Sequence, residues 1–191
     1  MPNVTTNLTS NKHLLKWVDE MAALCEPDSI VVCDGSEEER ARLTEFAVSK
    51  GILQPLNQEK HPGCYLHRSN PNDVARVEHL TFICTPNKED AGPTNNWKAP
   101  DQAYAELRGW FKGSMKGRTM YVVPYCMGPL GSEHSKIGIE LTDSVYVVLN
   151  MQIMTRMGKP ALDMLGDKND FNRGLHCTGE LSADRRSICH F

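Results

Sequence analysis

One stretch of the chain, residues 116–158, constrains the fold most, because it is the longest nearly uncharged apolar part of the sequence. Within it, residues 120–126 are rich in β-branched and aromatic side chains, which predicts a strand buried on both faces. Residues 137–141 alternate apolar residues with Gly and Glu, which predicts a half-buried strand. The glycines and proline of residues 128–132 predict a tight loop between these strands. We therefore expect the centre of a β-sheet here.

Helix and strand signals alternate through the rest of the chain, which indicates an α/β fold. Capping residues and helical spacing of apolar residues predict these helices: residues 11–24, 37–50, 101–112, 145–158 and 160–166. Short apolar runs predict these further strands: residues 29–33, 64–67, 79–84 and 187–191. Polar sequence predicts a long surface excursion at residues 85–100 and an irregular segment at residues 167–184. The predicted architecture is a mixed β-sheet flanked by helices.

The charge balance limits the classes of partner. The chain has 21 basic and 24 acidic residues, a net charge of −3, so no electrostatic footprint for nucleic acid or an anionic membrane is present. No basic start followed by an apolar run occurs, and no window approaches the roughly 18 apolar residues of a spanning helix. We expect a soluble, cytoplasmic protein with a flexible N-terminus at residues 1–10 and one domain over residues 11–191.

The cysteines and short motifs give no local catalytic signature. Seven cysteines occur without a CxxC pair, mostly in apolar runs, which predicts reduced core thiols. Cys64 and His67 have a C-x-x-H spacing, and His176, Cys177, Cys189 and His190 could supply four zinc ligands. Zinc is disfavoured, because adjacent strand residues such as Cys189 and His190 point to opposite faces. The loop GPLGSEHSK lacks the order of a P-loop, and the sequence has no nucleophile elbow or HExxH pattern. We predict no catalytic residue and no metal site in this chain.

Arg76 is the strongest candidate for ligand binding. A guanidinium presents a planar fork that matches a carboxylate and keeps its charge at any relevant pH. From the local residues alone, a surface ion pair with Asp73 or Glu78 is also open. The basic residues at 116, 118, 136 and 156 are interpreted as ion-pair or positioning residues. Trp97 is interpreted as a hydrophobic pin or as a contact for an absent partner.

Several longer motifs carry a family resemblance. The segments KGRTMYVVPYCMGPLG, SKIGIELTDS and MTRMG of residues 116–158, together with NPNDVARVE at residues 70–78, resemble the N-terminal part of GTP-dependent phosphoenolpyruvate carboxykinase. The similarity extends over roughly residues 11–191. Enzymes of that family are about three times longer, so the resemblance implies the single N-terminal domain of a larger two-domain carboxykinase.

The resemblance also implies an activity and two residue roles. The family enzyme converts oxaloacetate and GTP to phosphoenolpyruvate, CO₂ and GDP, and it requires Mn²⁺ or Mg²⁺. By resemblance, Arg76 binds the carboxylate of oxaloacetate or phosphoenolpyruvate, and Glu78 helps to hold a mobile lid closed. The metal ligands, the GTP site and the lid itself belong to the missing C-terminal domain. We therefore expect this chain to bind neither GTP nor metal and to be inactive alone.

A second class of function stays open at this level. The chain could be a non-catalytic domain that binds a small dicarboxylate or a protein partner through the surface that would face the missing domain. That surface would be apolar. Aromatic residues and methionines of the central stretch are interpreted as core filling: Tyr121, Tyr125, Tyr146, Met151 and Met154.

Overall fold

The computed structural model describes residues 3–5, 9–68, 78–178 and 188–190, with 3–5 and 188–190 described by their backbone alone. The helices are α1 (Lys12–Cys25), α2 (Glu37–Ser49), α3 (Pro100–Phe111), α4 (Val145–Met154) and α5 (Lys159–Leu165). The strands are β1 (Asn3–Thr5), β2 (Ser29–Val32), β3 (Gln54–Pro55), β4 (Tyr65–Leu66), β5 (Phe82–Ile83), β6 (Asn96–Trp97), β7 (Thr119–Met127), β8 (Lys136–Thr142), β9 (Arg156–Met157), β10 (Asn172–Cys177) and β11 (Ile188–His190). Short 3₁₀ helices span Glu78–Leu80 and Lys88–Ala91.

A mixed seven-stranded sheet organises the described chain, in the order β1-β2-β7-β8-β10-β11, with β9 paired to β7. The β7–β8 and β10–β11 pairs are antiparallel, whereas β1–β2, β2–β7 and β8–β10 are parallel. Two separate two-stranded pairs, β3–β4 and β5–β6, lie outside this sheet. The predicted mixed sheet flanked by helices is confirmed.

The two faces of the sheet bury separate hydrophobic clusters, because successive residues of a strand point to opposite sides. On one face, Met120 and Val122 of β7 pack with residues of α1, α3 and α5. On the other face, Tyr121 and Val123 pack with residues of α2 and α4. The central strand is therefore buried on both sides, as its sequence predicts.

The first two helices begin at the predicted capping residues. The Asn11 side chain accepts hydrogen bonds from the backbone N–H groups of His13 and Leu14, at 2.9 and 3.0 Å. The Ser36 hydroxyl accepts from Glu39 N–H at 3.0 Å, as in a capping box. The Glu39 carboxylate accepts from Gly35 N–H instead of from Ser36 N–H, so the reciprocal half of the box is shifted by one residue.

A close backbone contact joins the turn before α2 to the turn before α5. Gly35 and Gly158 both have positive φ, +76° and +88°. A Cβ on Gly158 would overlap Asp34 and lie 2.5 Å from Gly35 N, and a Cβ on Gly35 would lie 2.9 Å from the carbonyl carbon of Met157. Lys159 N–H donates to Asp34 O at 3.0 Å across this contact. Residues 34–36 (Asp-Gly-Ser) thus form a packed strand-to-helix turn.

Several sequence predictions for individual elements are wrong. Residues 79–80 lie in a 3₁₀ helix and not in a strand, and α4 ends at Met154 because residues 156–157 pair with β7. The segment predicted as irregular contains β10, which pairs in parallel with β8. Because β10 covers its open edge, β8 is buried on both faces from Gly138 onward and not half-buried.

The third helix differs from its prediction in capping and burial. It begins at Pro100, a residue suited to the first helical turn, and not under an Asp101 cap. Phe111 is 2% exposed, but Tyr104 and Trp110 are exposed at 52% and 39%. Within the described ranges, no helix is both long and apolar enough to cross a bilayer.

Candidate functional site

The segment that carries the predicted substrate residue is held at both ends by contacts with the described chain. Arg76 itself lies outside the described residues, which stop at Arg68 and resume at Glu78. Both flanks belong to residues 54–68 and 78–98, which we call the arm.

The upstream flank is fixed against the start of α4. The His67 ring stacks on the Tyr146 ring with centroids 3.9 Å apart and planes 25° apart. His67 Nδ1 also lies 2.7 Å from the carbonyl oxygen of Ile52, which makes Nδ1–H the donor. The β3–β4 pair connects these contacts to the rest of the arm through Gln54 and Leu66. The upstream flank thus packs where α4 begins.

The downstream flank is fixed by side-chain to backbone hydrogen bonds. Glu78 is exposed at the start of a 3₁₀ helix, and its carbonyl oxygen accepts from Asn96 Nδ2 at 2.6 Å. The half-buried Trp97 donates from Nε1 to Thr85 O at 2.9 Å, which supports its interpretation as a pin. Lys98 lies 4.5 Å from the Phe82 ring centroid, on the same part of the arm. The Glu78 carboxylate is therefore on the surface.

A buried carboxylate, that of Asp143, connects the ends of three strands beside α4. The Asp143 side chain is fully buried, and its Oδ2 accepts from Arg118 Nε at 2.8 Å and from Cys177 Sγ at 3.2 Å. Its Oδ1 accepts from Thr178 N–H and from the Thr178 hydroxyl, at 2.8 and 3.0 Å. Arg118 also donates to the carbonyl oxygen of Ser114. This cluster ties β7, β8 and β10 together at one edge of the sheet.

The structure separates the other basic candidates into two groups. Lys116 pairs with Glu26 at 2.9 Å and Arg118 with Asp143, so the ion-pair interpretation is confirmed for both. Lys136 and Arg156 are exposed and form no ion pair with a described residue, so the interpretation stays a prediction for these two.

The core-filling interpretation holds for part of its set. Tyr121 is 8% exposed, and Met151 packs against the α2/α4 cluster. Tyr125 is half-buried, with its ring over Gly138, where an added Cβ would lie 2.6 Å from Tyr125 Cε1. Tyr146 and Met154 are exposed at 37% and 71%, so core filling is wrong for these two.

Two glutamates are buried, and their environments differ. Glu39 is 3% exposed and accepts from Gly35 N–H at 3.0 Å. Burial raises the pKa of Glu39, while the bond from Gly35 opposes that change. Glu140 is 5% exposed on β8, and burial raises its pKa to about 8. Burial, followed by the Glu140 charge, also raises the pKa of Tyr125. Sequence reasoning did not single out Glu140, although a glutamate among the apolar residues of a central strand is a signal.

The described cysteine side chains form no disulfide with one another. Cys25, Cys33, Cys126 and Cys177 are buried as predicted, whereas Cys64 and Cys84 are exposed. Burial raises the pKa of Cys25 to about 12 and that of Cys33 well above its ordinary value, so neither supplies a thiolate near neutral pH. Among the described residues, no group of three or more His, Cys, Asp or Glu side chains is placed to hold a metal ion.

Comparison with known proteins identifies the family of this sheet and its arm. The family model described as "Phosphoenolpyruvate carboxykinase N-terminal domain" matches residues 16–190. The chain belongs to this family. The resemblance of the motifs in residues 70–78 and 116–158 is therefore confirmed.

The curated relatives of this carboxykinase N-terminal domain are all much longer than the chain. A phosphoenolpyruvate carboxykinase (GTP) from Anaeromyxobacter dehalogenans (strain 2CP-C) is 67% identical over 183 residues, which are 96% of this chain and 31% of the relative. Proteins of the same name from Corynebacterium jeikeium (strain K411) and Chlamydia felis (strain Fe/C-56) are 56% and 51% identical, over 90% and 94% of this chain. The matched regions are 28% and 30% of the length of these two relatives. The chain thus spans about a third of the length of these relatives.

Proposed function

We propose that this chain is the substrate-binding N-terminal part of a GTP-dependent phosphoenolpyruvate carboxykinase. The complete enzyme would convert oxaloacetate and GTP to phosphoenolpyruvate, CO₂ and GDP, and would serve gluconeogenesis or anaplerosis. The observation that carries this proposal is the 67% identity to a carboxykinase of that name over 96% of the chain. A non-catalytic binding module is not favoured, because the named relatives are enzymes.

Arg76 is the proposed ligand for the substrate carboxylate. A guanidinium can donate two parallel hydrogen bonds to a carboxylate, and a charge-assisted contact of this kind contributes on the order of 1.5–3 kcal/mol. The described residues that flank this position in the chain are tied to α4 and to residues 96–97. Binding residues on a loop that a rigid scaffold positions are common in enzymes.

Glu78 is the proposed contact for a mobile lid carried by the remainder of the enzyme. Its exposed position at the first residue of a 3₁₀ helix leaves the carboxylate available to a donor from outside this chain. Its backbone is held by Asn96, so the contact would be made by a positioned group.

Metal and GTP are proposed to bind outside the region described here. The described side chains do not form a set that fits a divalent cation. In the complete enzyme, Mn²⁺ or Mg²⁺ would stabilise the enolate and the phosphates of GTP. We also propose a cytoplasmic location and a domain that comprises residues 11–191.

An assay of the isolated chain tests whether turnover requires the remainder of the enzyme. When it is assayed with oxaloacetate, GTP and Mn²⁺, we expect no phosphoenolpyruvate formation and no CO₂ release above the spontaneous background. The complete enzyme under the same conditions should turn over. Phosphoenolpyruvate formation by the 191-residue chain would show that the catalytic groups are misplaced in this proposal.

Arg76→Ala in the complete enzyme tests the substrate contact. Loss of one charge-assisted contact predicts a roughly 10- to 150-fold lower kcat/KM for oxaloacetate. Arg108→Ala is a matched control, because Arg108 is an exposed arginine on α3, and it should leave kcat/KM unchanged. Equal kcat/KM values for Arg76→Ala and the wild type would remove Arg76 from the substrate site.

A further inference from the structure

Glu140 differs from every other buried polar residue of the described chain. The buried polar or charged residues are Asn11, Glu39, Glu140 and Thr142. Asn11, Glu39 and Thr142 each form side-chain hydrogen bonds with other described residues. Glu140 forms no hydrogen bond and no ion pair with any residue that the structure describes. Within the described residues, the fully buried side-chain atoms that lack a partner are Ser114 Oγ and Gln152 Oε1, so the Glu140 carboxyl oxygens still reach solvent. A largely buried carboxyl group without a protein donor is nevertheless unusual, since the great majority of buried polar side chains are paired.

The strand register defines the side of the sheet to which Glu140 points. It lies opposite Val123 of β7 and opposite Gly174 of β10. Val123 belongs to the α2/α4 cluster, so Glu140 points to that side of the sheet. On β10 the residues of the same side are Asn172, which is exposed, and His176, which is half-buried. This part of the face therefore carries polar residues that reach the surface.

No charged side chain among the described residues shifts the pKa of Glu140, which burial alone raises. Helix α2, on the same side of the sheet, carries Arg40 and Arg42, which pair with Glu37 and Glu39. The titratable residues of the described strands on this face are Tyr121, Tyr125 and His176, and His176 Nδ1 is 2.8 Å from the Thr142 hydroxyl. Helix α4, which packs on this side, has no acidic or basic residue. Arg173 points to the opposite side, where it stacks 4.2 Å from the Phe171 ring centroid. Lys136, at the start of β8, is exposed.

A carboxyl group in this position has two stable states. It can stay protonated, which fits the burial that raises its pKa to about 8. It can also ionise when a cation is brought to it, because an opposite charge and hydrogen bonds then replace the lost water. The described chain offers only the first state near neutral pH. The second requires a donor from elsewhere.

We propose that Glu140 is an interdomain anchor that receives an arginine or lysine side chain from the part of the carboxykinase that this chain does not span. The proposal rests on the proposed function, because it takes the chain to be part of a longer enzyme. About 70% of the length of the curated relatives lies outside the matched region. Strand β11 also runs along β10 from Cys177 toward Leu175, and so toward Gly174, the neighbour of Glu140. The segment that follows β11 in such an enzyme would start at the sheet edge beside β10, one strand away from Glu140.

The deciding measurement compares Glu140→Gln with the wild type in the complete enzyme. The substitution keeps the shape of the side chain and removes its charge. If a cation pairs with Glu140, the variant leaves that cation buried and unpaired, and the thermal unfolding midpoint at pH 8 falls below that of the wild type. If Glu140 has no partner, its ionisation at pH 8 destabilises the wild type, and the midpoint of the variant is equal or higher.

The 191-residue chain gives the complementary result. The folded-state pKa of about 8 lies above the ordinary 4.5, so an unpaired Glu140 carries no penalty below pH 4.5. Its penalty grows as the pH rises toward 8, so the wild-type midpoint should fall over that range. Glu140→Gln should reduce this fall in the chain alone, and lower the midpoint in the complete enzyme.

Glu39→Gln is the matched control. Glu39 is also buried, but its partner Gly35 belongs to this chain, so the variant should change the midpoint in the same direction in both proteins. A midpoint for Glu140→Gln in the complete enzyme that equals or exceeds the wild type at pH 8 would overturn the anchor. Turnover by the wild-type enzyme is measured separately, so failure of the anchor is distinguishable from failure of the proposed function.

Discussion

The central sheet and the arm of this protein are stabilised in different ways. In β7, six of nine residues are buried, and the strand separates two hydrophobic clusters. In the described residues of the arm, Ala91 is the one buried residue, and the conformation depends on hydrogen bonds such as those of Asn96 and Trp97. The sheet has the stability of a packed interior, whereas the arm can open locally at small cost.

This difference predicts which substitutions lower global stability and which act only on the arm. Substitutions in the sheet should lower the free energy of unfolding, because close-packed interiors tolerate little change in volume. Substitutions in the arm should alter binding or local opening and leave global unfolding almost unchanged. The proposed substrate residue Arg76 belongs to a segment between the two halves of the arm. Three variants test this contrast between sheet and arm, in order of decreasing expected effect.

Gly158→Ala should have the largest effect. At φ +88° and in contact with Asp34 and Gly35, a Cβ can be accommodated only if two backbone turns move apart. We expect a loss of about 3 kcal/mol or more in the free energy of unfolding, measured with denaturant. Gly51→Ala is the control: φ is +68° but a Cβ there meets nothing within 4 Å, so about 1–2 kcal/mol is expected. Equal losses for Gly158→Ala and Gly51→Ala would show that the backbone contact at Gly158 does not contribute to stability.

Asp143→Asn should come next. Asp143 is fully buried and accepts from Arg118, Cys177 and Thr178, so removing its charge leaves a cation poorly paired. We expect a loss of about 3 kcal/mol in the free energy of unfolding.

Glu26→Gln provides the comparison for Asp143→Asn. It removes a surface ion pair whose side chains, Glu26 and Lys116, are 44% and 66% exposed. The expected loss is within about 0.5 kcal/mol. A loss for Asp143→Asn as small as this one would contradict the assignment of the cluster as a tie between strands.

Trp97→Phe should have the smallest effect on global stability. It removes one hydrogen bond, from Nε1 to Thr85 O, which is worth about 1 kcal/mol locally. Amide hydrogen exchange of residues 82–97 should accelerate, while the free energy of global unfolding should stay within about 0.5 kcal/mol. Tyr65→Phe, at an exposed position of the arm, should change neither quantity. A global loss comparable to that of Asp143→Asn would place the arm in the same cooperative unit as the sheet.

The sequence predicted elements well where one segment alone carries the signal. The caps Asn11 and Ser36, the buried strand β7 and the stop at Gly166 are all local features, and each is present. β10 was missed because NRGLHC has no clear alternation and its polar residues conceal the buried Leu175 and Cys177. Its strand character comes from pairing with β8, more than thirty residues away in the chain.

The candidate site was less accessible to local reasoning. The residues around Arg76 by themselves favoured a surface ion pair over a ligand clamp, and the family resemblance of NPNDVARVE reversed that preference. The structure describes Glu78 but not Arg76, so both roles stay predictions. Glu140 became a candidate only from the strand register, which places it between Val123 and Gly174, with no donor among the described residues. A one-dimensional pattern cannot show that a partner is missing.

By itself, the sequence determined the family, the helix caps, the turns and the strand buried on both faces. These depend on side-chain size, polarity and backbone freedom within a few residues, or on long motifs that chance does not produce. Only the tertiary structure decided that β10 covers β8, that Asp143 joins three strands and that Glu140 is buried without a partner among the described residues. Such properties arise from contacts between distant segments, because burial and electrostatic environment belong to the packed assembly and not to any one residue.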